Sequence, residues 1–127
     1  MESYRTPLAR ARGLGAAGHG AGHWITERIS SVALVPLSLW GVYAVLKLAG
    51  LDYVGAAAWI AHPLNAVLMA LLAIVSFQHM HAGMRVIVED YFHGGQRAVI
   101  LLGNLFVCVL MGALAVFSIL KVALGGA

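Results

Sequence analysis

The sequence predicts an all-α integral membrane protein with three transmembrane helices packed in a bundle. Hydrophobic residues make up 61% of its 127 residues and charged residues only 10%, whereas a typical soluble domain carries about 25% charged residues. The mean hydropathy of +0.89 agrees with a chain that is solvated by lipid. Three apolar stretches each contain about the 20 residues that a helix needs to cross a hydrocarbon core of ~30 Å.

The three predicted spans cover residues 29–46, 64–88 and 98–120. The segments between them are short and polar enough to be loops. Pro63 directly precedes the second span. The N–H groups of a helix's first turn have no partner within the helix, so a proline costs no hydrogen bond there, and we expect a helix to begin at Pro63. Pro36 lies inside the first span and removes one backbone hydrogen bond, which predicts a bend.

Residues 1–28 are rich in glycine and arginine, and we expect them to form a flexible cytoplasmic head before the anchor domain of residues 29–127. The head has no apolar stretch, which argues against a cleaved signal peptide. An arginine-rich head also fits a mitochondrial transit peptide, but its short length and direct junction with a span favour a bacterial tail.

The arginines predict how the chain is oriented in the membrane. Four arginines lie before the first span, and Arg97 follows the second. In the Ala49–Pro63 loop, by contrast, Asp52 is the only charged residue. Positively charged segments remain in the cytoplasm, so we expect a cytoplasmic N-terminus and an external C-terminus in the bacterial inner membrane, with the mitochondrial inner membrane as the alternative. Orientation also explains the net charge of +3 better than nucleic-acid binding does.

The second span contains four polar residues in its inner half: Gln78, His79, His81 and Arg85. An ionisable group at that depth costs about 2.5 kcal/mol or more, so each needs a partner or a function. His79 and Gly83 share one helix face, and the glycine leaves room for a flat macrocycle against the backbone. His79 and Gly83 together predict a haem site in which His79 binds the iron. In the competing interpretation, the polar side chains only form hydrogen bonds to other helices.

His81 lies two residues from His79 and is therefore rotated by about 200° around the helix. It shares its own face with Arg85, and we expect this pair to pack against a partner subunit. Contact with a haem propionate is the alternative.

The other predicted spans contain no histidine, so a second histidine on the iron must come from another chain. Met69 and Met111 are possible ligands within the chain, but such thioethers usually serve packing. Cys108 is the only cysteine, which excludes a cysteine-bound metal cluster. In the third span we expect close helix contacts at Gly103, Asn104, Gly112 and Ala113.

The segment from His79 to Tyr91 resembles the signature H-x-x-x-G-x-x-x-x-x-x-D-Y of the small hydrophobic anchor subunit of succinate dehydrogenase. Residues 23–40, which begin His-Trp-Ile-Thr-Glu-Arg, are similar to the start of the first span in bacterial members. The resemblance covers nearly the whole chain.

This resemblance implies that His79 is an axial ligand of haem b and that the larger cytochrome b anchor subunit supplies the opposite histidine. It implies that the Tyr91 hydroxyl donates a hydrogen bond to ubiquinone, with Asp90 beside it, and that Arg28 meets a haem propionate. Tyr91 is otherwise an ordinary aromatic residue of the membrane interface.

By the same resemblance, the chain is a subunit of respiratory complex II and carries no catalytic residue of the succinate reaction. It would anchor the flavoprotein and iron–sulfur subunits and help to pass electrons from the tricarboxylic acid cycle to ubiquinone in the respiratory chain. One alternative is the anchor of a fumarate reductase or of another quinone-linked dehydrogenase. The other is a noncatalytic scaffold in which His79, His81 and Arg85 form an ion path.

Overall fold

The structure, a computed structural model, describes residues 6–8, 13 and 20–125. Within residues 20–125 it contains four helices and no strand. The helices are α1 (Gly20–Ala49), α2 (Tyr53–Ala61), α3 (Pro63–Tyr91) and α4 (Gly94–Ala123). Three of them, α1, α3 and α4, are long and apolar enough to cross a membrane. The predicted fold class, all-α with three spans, is confirmed.

Helix α1 begins at Gly20, well before the predicted start of the first span at residue 29. The chain is therefore already helical over residues 20–28, and the stretch that qualifies as a membrane span begins at Trp24. The predicted flexible head otherwise lies mainly outside the described residues. Helix α1 continues through Pro36 without a break in its assignment.

The segment between the first two spans was predicted to be a loop, and this was wrong because it contains α2. The carboxylate of Asp52 caps α2 by accepting a hydrogen bond of 2.9 Å from the Gly55 amide. The Trp59 ring of α2 stacks on Trp40 of α1, with centroids 6.1 Å apart. Nine residues are too few to span a bilayer, and a helix this short depends on its cap and on tertiary packing. The predicted helix start at Pro63 is confirmed.

The predicted loop over residues 89–97 is reduced to a two-residue corner, Phe92 and His93, between α3 and α4. The Phe92 amide still donates to the Val88 carbonyl at 3.0 Å, which closes the last turn of α3. Gly94 then takes a φ of +63°, a conformation that favours glycine, and starts α4 in the opposite direction.

Helix α3 is the central element, because it packs against α1 on one side and α4 on the other. A Cβ atom at Gly41 would lie 2.9 Å from Leu72, and one at Gly112 would lie 3.4 Å from Phe77. Glycines therefore allow close approach at both interfaces, as predicted for Gly112. Gly103 has no such neighbour, so the close contact predicted there does not occur among the described residues.

Very few side chains are buried. Among the described residues, six are buried: Ser30, Gly41, Ala44, Ala66, Val88 and Cys108. Large apolar side chains remain exposed along all three long helices, among them Leu39 at 70% and Phe106 at 72%. In water such a surface would drive aggregation. Lipid or neighbouring subunits must cover it.

Candidate functional site

His79 lies in the C-terminal half of α3 and faces α1. Its Nδ1 atom lies 3.0 Å from the hydroxyl oxygen of Ser30, which is only 7% exposed. The same hydroxyl donates a hydrogen bond of 2.8 Å to the Glu27 carbonyl one turn earlier in α1. No second hydrogen-bond partner of the His79 ring occurs among the described residues, so Nε2 is available for another group.

His81 faces α4 instead, which confirms that the two histidines point in nearly opposite directions. The side-chain amide of Asn104 donates to His81 Nδ1 at 3.0 Å and to the His81 carbonyl at 3.1 Å. The buried Cys108 thiol donates to the amide oxygen of Asn104 at 3.3 Å. This network pairs His81 Nδ1 within the chain, and the prediction that His81 and Arg85 pack against a partner subunit stays a prediction. Sequence spacing could not show which helix faces it.

We expect Asn104→Leu to loosen the contact between α3 and α4. The substitution keeps the side-chain size but removes both hydrogen bonds to His81, and interhelical bonds of this kind contribute about 0.6 to 1.7 kcal/mol in membranes. The thermal midpoint of the assembled complex should fall. Ser118→Ala is the control, because Ser118 bonds only to Leu114 within its own helix. Equal stability of the two variants would contradict a stabilising role for Asn104.

Gly83 lies one turn from His79, and a Cβ atom built on it would meet nothing within 4 Å. Packing within this chain therefore does not require a glycine there. A glycine inside a helix lowers helix stability by about 1 kcal/mol relative to alanine, so its presence is not explained by these contacts. The open space beside His79 is available to a group from outside the chain. The haem contact predicted at Gly83 stays a prediction.

Arg85 shares a face of α3 with His81 but forms its ion pair with a different residue. Its guanidinium Nε lies 2.9 Å from the Glu89 carboxylate, and the guanidinium of Arg97 in α4 lies 3.4 Å from the same oxygen. Glu89 thus connects the end of α3 to the start of α4. Sequence spacing allowed either partner for Arg85, since both lie four residues away on the helix surface.

Asp90 and Tyr91 end α3 directly after this ion-pair network. Both are exposed, Tyr91 by 78% of its surface, and neither side chain has a hydrogen-bond partner among the described residues. The buried Val88 and the short corner fix the backbone that carries them. The structure thus presents both residues together at one end of the central helix, about 18 Å along the axis from His79.

Arg28 is exposed and lies over the Trp24 ring, with its guanidinium carbon 5.3 Å from the ring centroid. It has no ion-pair partner among the described residues. Arg28 and Ser30 are two residues apart on α1, so they point about 200° away from each other. The structure therefore does not bring Arg28 next to His79.

Part of the donor set needed by a haem iron is present. No group of three or more histidine, cysteine or acidic residues that could hold a metal ion occurs in the described part of the chain. A haem iron needs only one ligand from this chain if another subunit supplies the second. Met69 lies about 15 Å from His79 along α3. Met111 lies on α4, whereas His79 faces α1.

A groove of ≈ 410 Å³ opens between α3 and α4, and His79 does not line it. Its wall is mainly apolar, and Phe77, Cys108 and the predicted close-contact residue Ala113 contribute to it. Gln78, one of the polar residues predicted in the second span, lines it beside His81. The groove and the His79 face are therefore different surfaces of α3.

These features define a helical membrane protein whose central helix, α3, carries a cluster of polar side chains. The family model of the succinate dehydrogenase/fumarate reductase transmembrane subunit matches residues 2–120. The chain belongs to this family.

Its relatives include bacterial anchor subunits. It is 34% identical to the succinate dehydrogenase hydrophobic membrane anchor subunit of Paracoccus denitrificans, over 96% of this chain and 95% of that protein. It is 28% identical to the subunit of the same name from Rickettsia conorii, over 89% of this chain and 92% of the relative. No solved structure matches the chain significantly.

Proposed function

We propose that this chain is the membrane anchor of a succinate:quinone oxidoreductase and that it binds haem b and ubiquinone jointly with partner subunits. The observation that carries the proposal is the availability of His79 Nε2 beside the open face of Gly83, in a chain that belongs to this family. An imidazole nitrogen in a low-dielectric site is a suitable axial ligand for haem iron.

In the proposed site, His79 would bind the haem iron and Gly83 would leave room for the macrocycle beside the helix. A second ligand would come from the larger cytochrome b anchor subunit, since His81 is paired with Asn104. When bound, the haem can accept and donate one electron within the membrane. The propionate role of Arg28 is a proposal supported by the resemblance alone.

The Tyr91 hydroxyl donates a hydrogen bond to a quinone carbonyl at the cytoplasmic end of α3. A preorganised donor of this kind stabilises the negative charge that develops on the oxygen as the quinone is reduced. The phenol ring can also pack on the apolar body of the quinone. Asp90 adjoins this site, and its exposed carboxylate faces the same end of the helix.

The remaining assignments follow from the family and the charge pattern. The partners are the larger anchor subunit, the iron–sulfur subunit and the flavoprotein subunit, which oxidises succinate. The chain lies in the bacterial inner membrane, with its N-terminus and the corner at Phe92 and His93 in the cytoplasm.

The geometry argues against one of the two alternative functions and does not distinguish the other. A fumarate reductase anchor would have the same family membership. An ion path through His79, His81 and Arg85 would need these groups in one line, but their partners lie on α1, on α4 and at Glu89. The geometry therefore favours the anchor.

Purification of the assembled complex from its native membrane tests the proposal. We expect a flavoprotein, an iron–sulfur protein and a second anchor chain to copurify, with the absorption spectrum of a low-spin b-type haem. A colourless oligomer of this chain alone would contradict the proposal.

A further inference from the structure

We infer that Ser30 is a positioning residue for the iron ligand: its hydroxyl accepts the Nδ1–H of His79 and thereby directs an unprotonated Nε2 towards the iron. This inference rests on the proposed function. It adds a residue on a different helix that sets the protonation and orientation of the ligand.

The single proton of the Ser30 hydroxyl determines the direction of the hydrogen bond to His79. A carbonyl oxygen can only accept, so the 2.8 Å bond to Glu27 requires that proton. The Ser30 oxygen then has only lone pairs for the contact of 3.0 Å with His79 Nδ1. An unprotonated Nδ1 would face these lone pairs with its own, so Nδ1 carries the proton and neutral His79 has its lone pair on Nε2.

His81 has the opposite arrangement. The Asn104 atom that contacts it also bonds to the His81 carbonyl, so this atom is the amide nitrogen and a donor. His81 Nδ1 therefore accepts, and the proton of a neutral ring lies on Nε2. The two histidines are therefore different tautomers, and only His79 has an unprotonated Nε2 that can bind iron.

The burial of Ser30 strengthens its effect on His79. It is the only polar side chain among the buried residues that the structure describes, with 7% exposure. Water does not compete well for a hydrogen bond in such a place. A hydrogen bond from the distal nitrogen of a ligating histidine fixes the ring and raises its basicity, and this stabilises the oxidised iron.

The test compares four variants in the assembled complex, within its membrane or in detergent. Ser30→Ala and Ser30→Val remove the acceptor, and Ser30→Thr keeps it in a side chain of the same shape as valine. Ser31→Ala is the matched control, because Ser31 makes the same 2.8 Å bond to the Glu27 carbonyl but none to a histidine. The readouts are the haem midpoint potential, the low-spin electron paramagnetic resonance signal and the haem content per flavin.

We expect Ser30→Ala and Ser30→Val to shift the midpoint potential to more positive values and to change the resonance signal. Haem affinity should fall by roughly 10-fold, as is usual when such a supporting group is lost. Ser30→Thr and Ser31→Ala should resemble the wild type. This pattern would separate the hydroxyl group from the volume of the side chain.

Two results would overturn the inference. One is a potential and a signal that are the same in Ser30→Ala as in Ser31→Ala. The other is an equal shift in Ser30→Thr and Ser30→Val, which would mean that side-chain volume alone is responsible. If His79→Ala retained the full haem signal, the proposed function itself would fail, whereas loss of haem in that variant with no effect at Ser30 would refute only this inference.

Discussion

His79→Ala is expected to remove the low-spin b-type haem spectrum from the assembled complex. Within α3, His79 is the only described imidazole on the helix face that carries Gly83, so the substitution removes the predicted iron ligand. Loss of an axial ligand changes the spin state or releases the haem altogether. The measurement is the reduced-minus-oxidised absorption spectrum, normalised to the flavin content.

The matched control is His81→Ala, which lies two residues further along the same helix. It removes a hydrogen bond to Asn104 but leaves the His79 face untouched, so the haem spectrum should persist. An unaltered low-spin spectrum in His79→Ala would exclude His79 as the ligand. Loss of haem in both variants to the same extent would point to general destabilisation of α3.

Tyr91→Phe is expected to lower quinone reductase activity by roughly 10- to 100-fold. The change removes only the hydroxyl, and a hydrogen bond to a group that becomes charged contributes about 1.5–3 kcal/mol, at 1.4 kcal/mol for each factor of ten. Succinate oxidation with a water-soluble artificial acceptor should remain, because the flavoprotein is untouched. The haem spectrum should also remain, since Tyr91 lies about 18 Å from His79.

Tyr53→Phe provides a control of similar exposure, 73% against 78% for Tyr91, at the start of α2 and on the other side of the membrane. It should leave turnover unchanged. Wild-type turnover of Tyr91→Phe with a water-insoluble quinone would show that Tyr91 is only an interfacial aromatic residue.

Properties that depend on local sequence were predictable. Apolar length gave the three spans, and the missing N–H of Pro63 marked the start of α3. Helix geometry alone separated the faces of His79 and His81. These features depend on a few neighbouring residues and not on which helices meet.

Features that depend on contacts between helices were not predictable. Ser30 is 49 positions from His79 in sequence, and nothing in the neighbouring sequence distinguishes it from Ser31. The partner of His81 required knowing that α4 packs on its side of α3. The short helix α2 was not predicted, because the spacing of its apolar residues shows no helical pattern. Its structure depends on the cap at Asp52 and on the contact of Trp59 with Trp40.

The continuity of α3 has a consequence for electron transfer. One uninterrupted helix, Pro63–Tyr91, carries both the proposed iron ligand and the proposed quinone donor, and an α-helix does not stretch along its axis without losing backbone hydrogen bonds. Under this assignment, the separation of about 18 Å between the backbone positions of the two residues is set by the hydrogen-bonded helix and does not vary with subunit motion. Any control over the rate then depends on how the quinone itself enters, tilts and leaves.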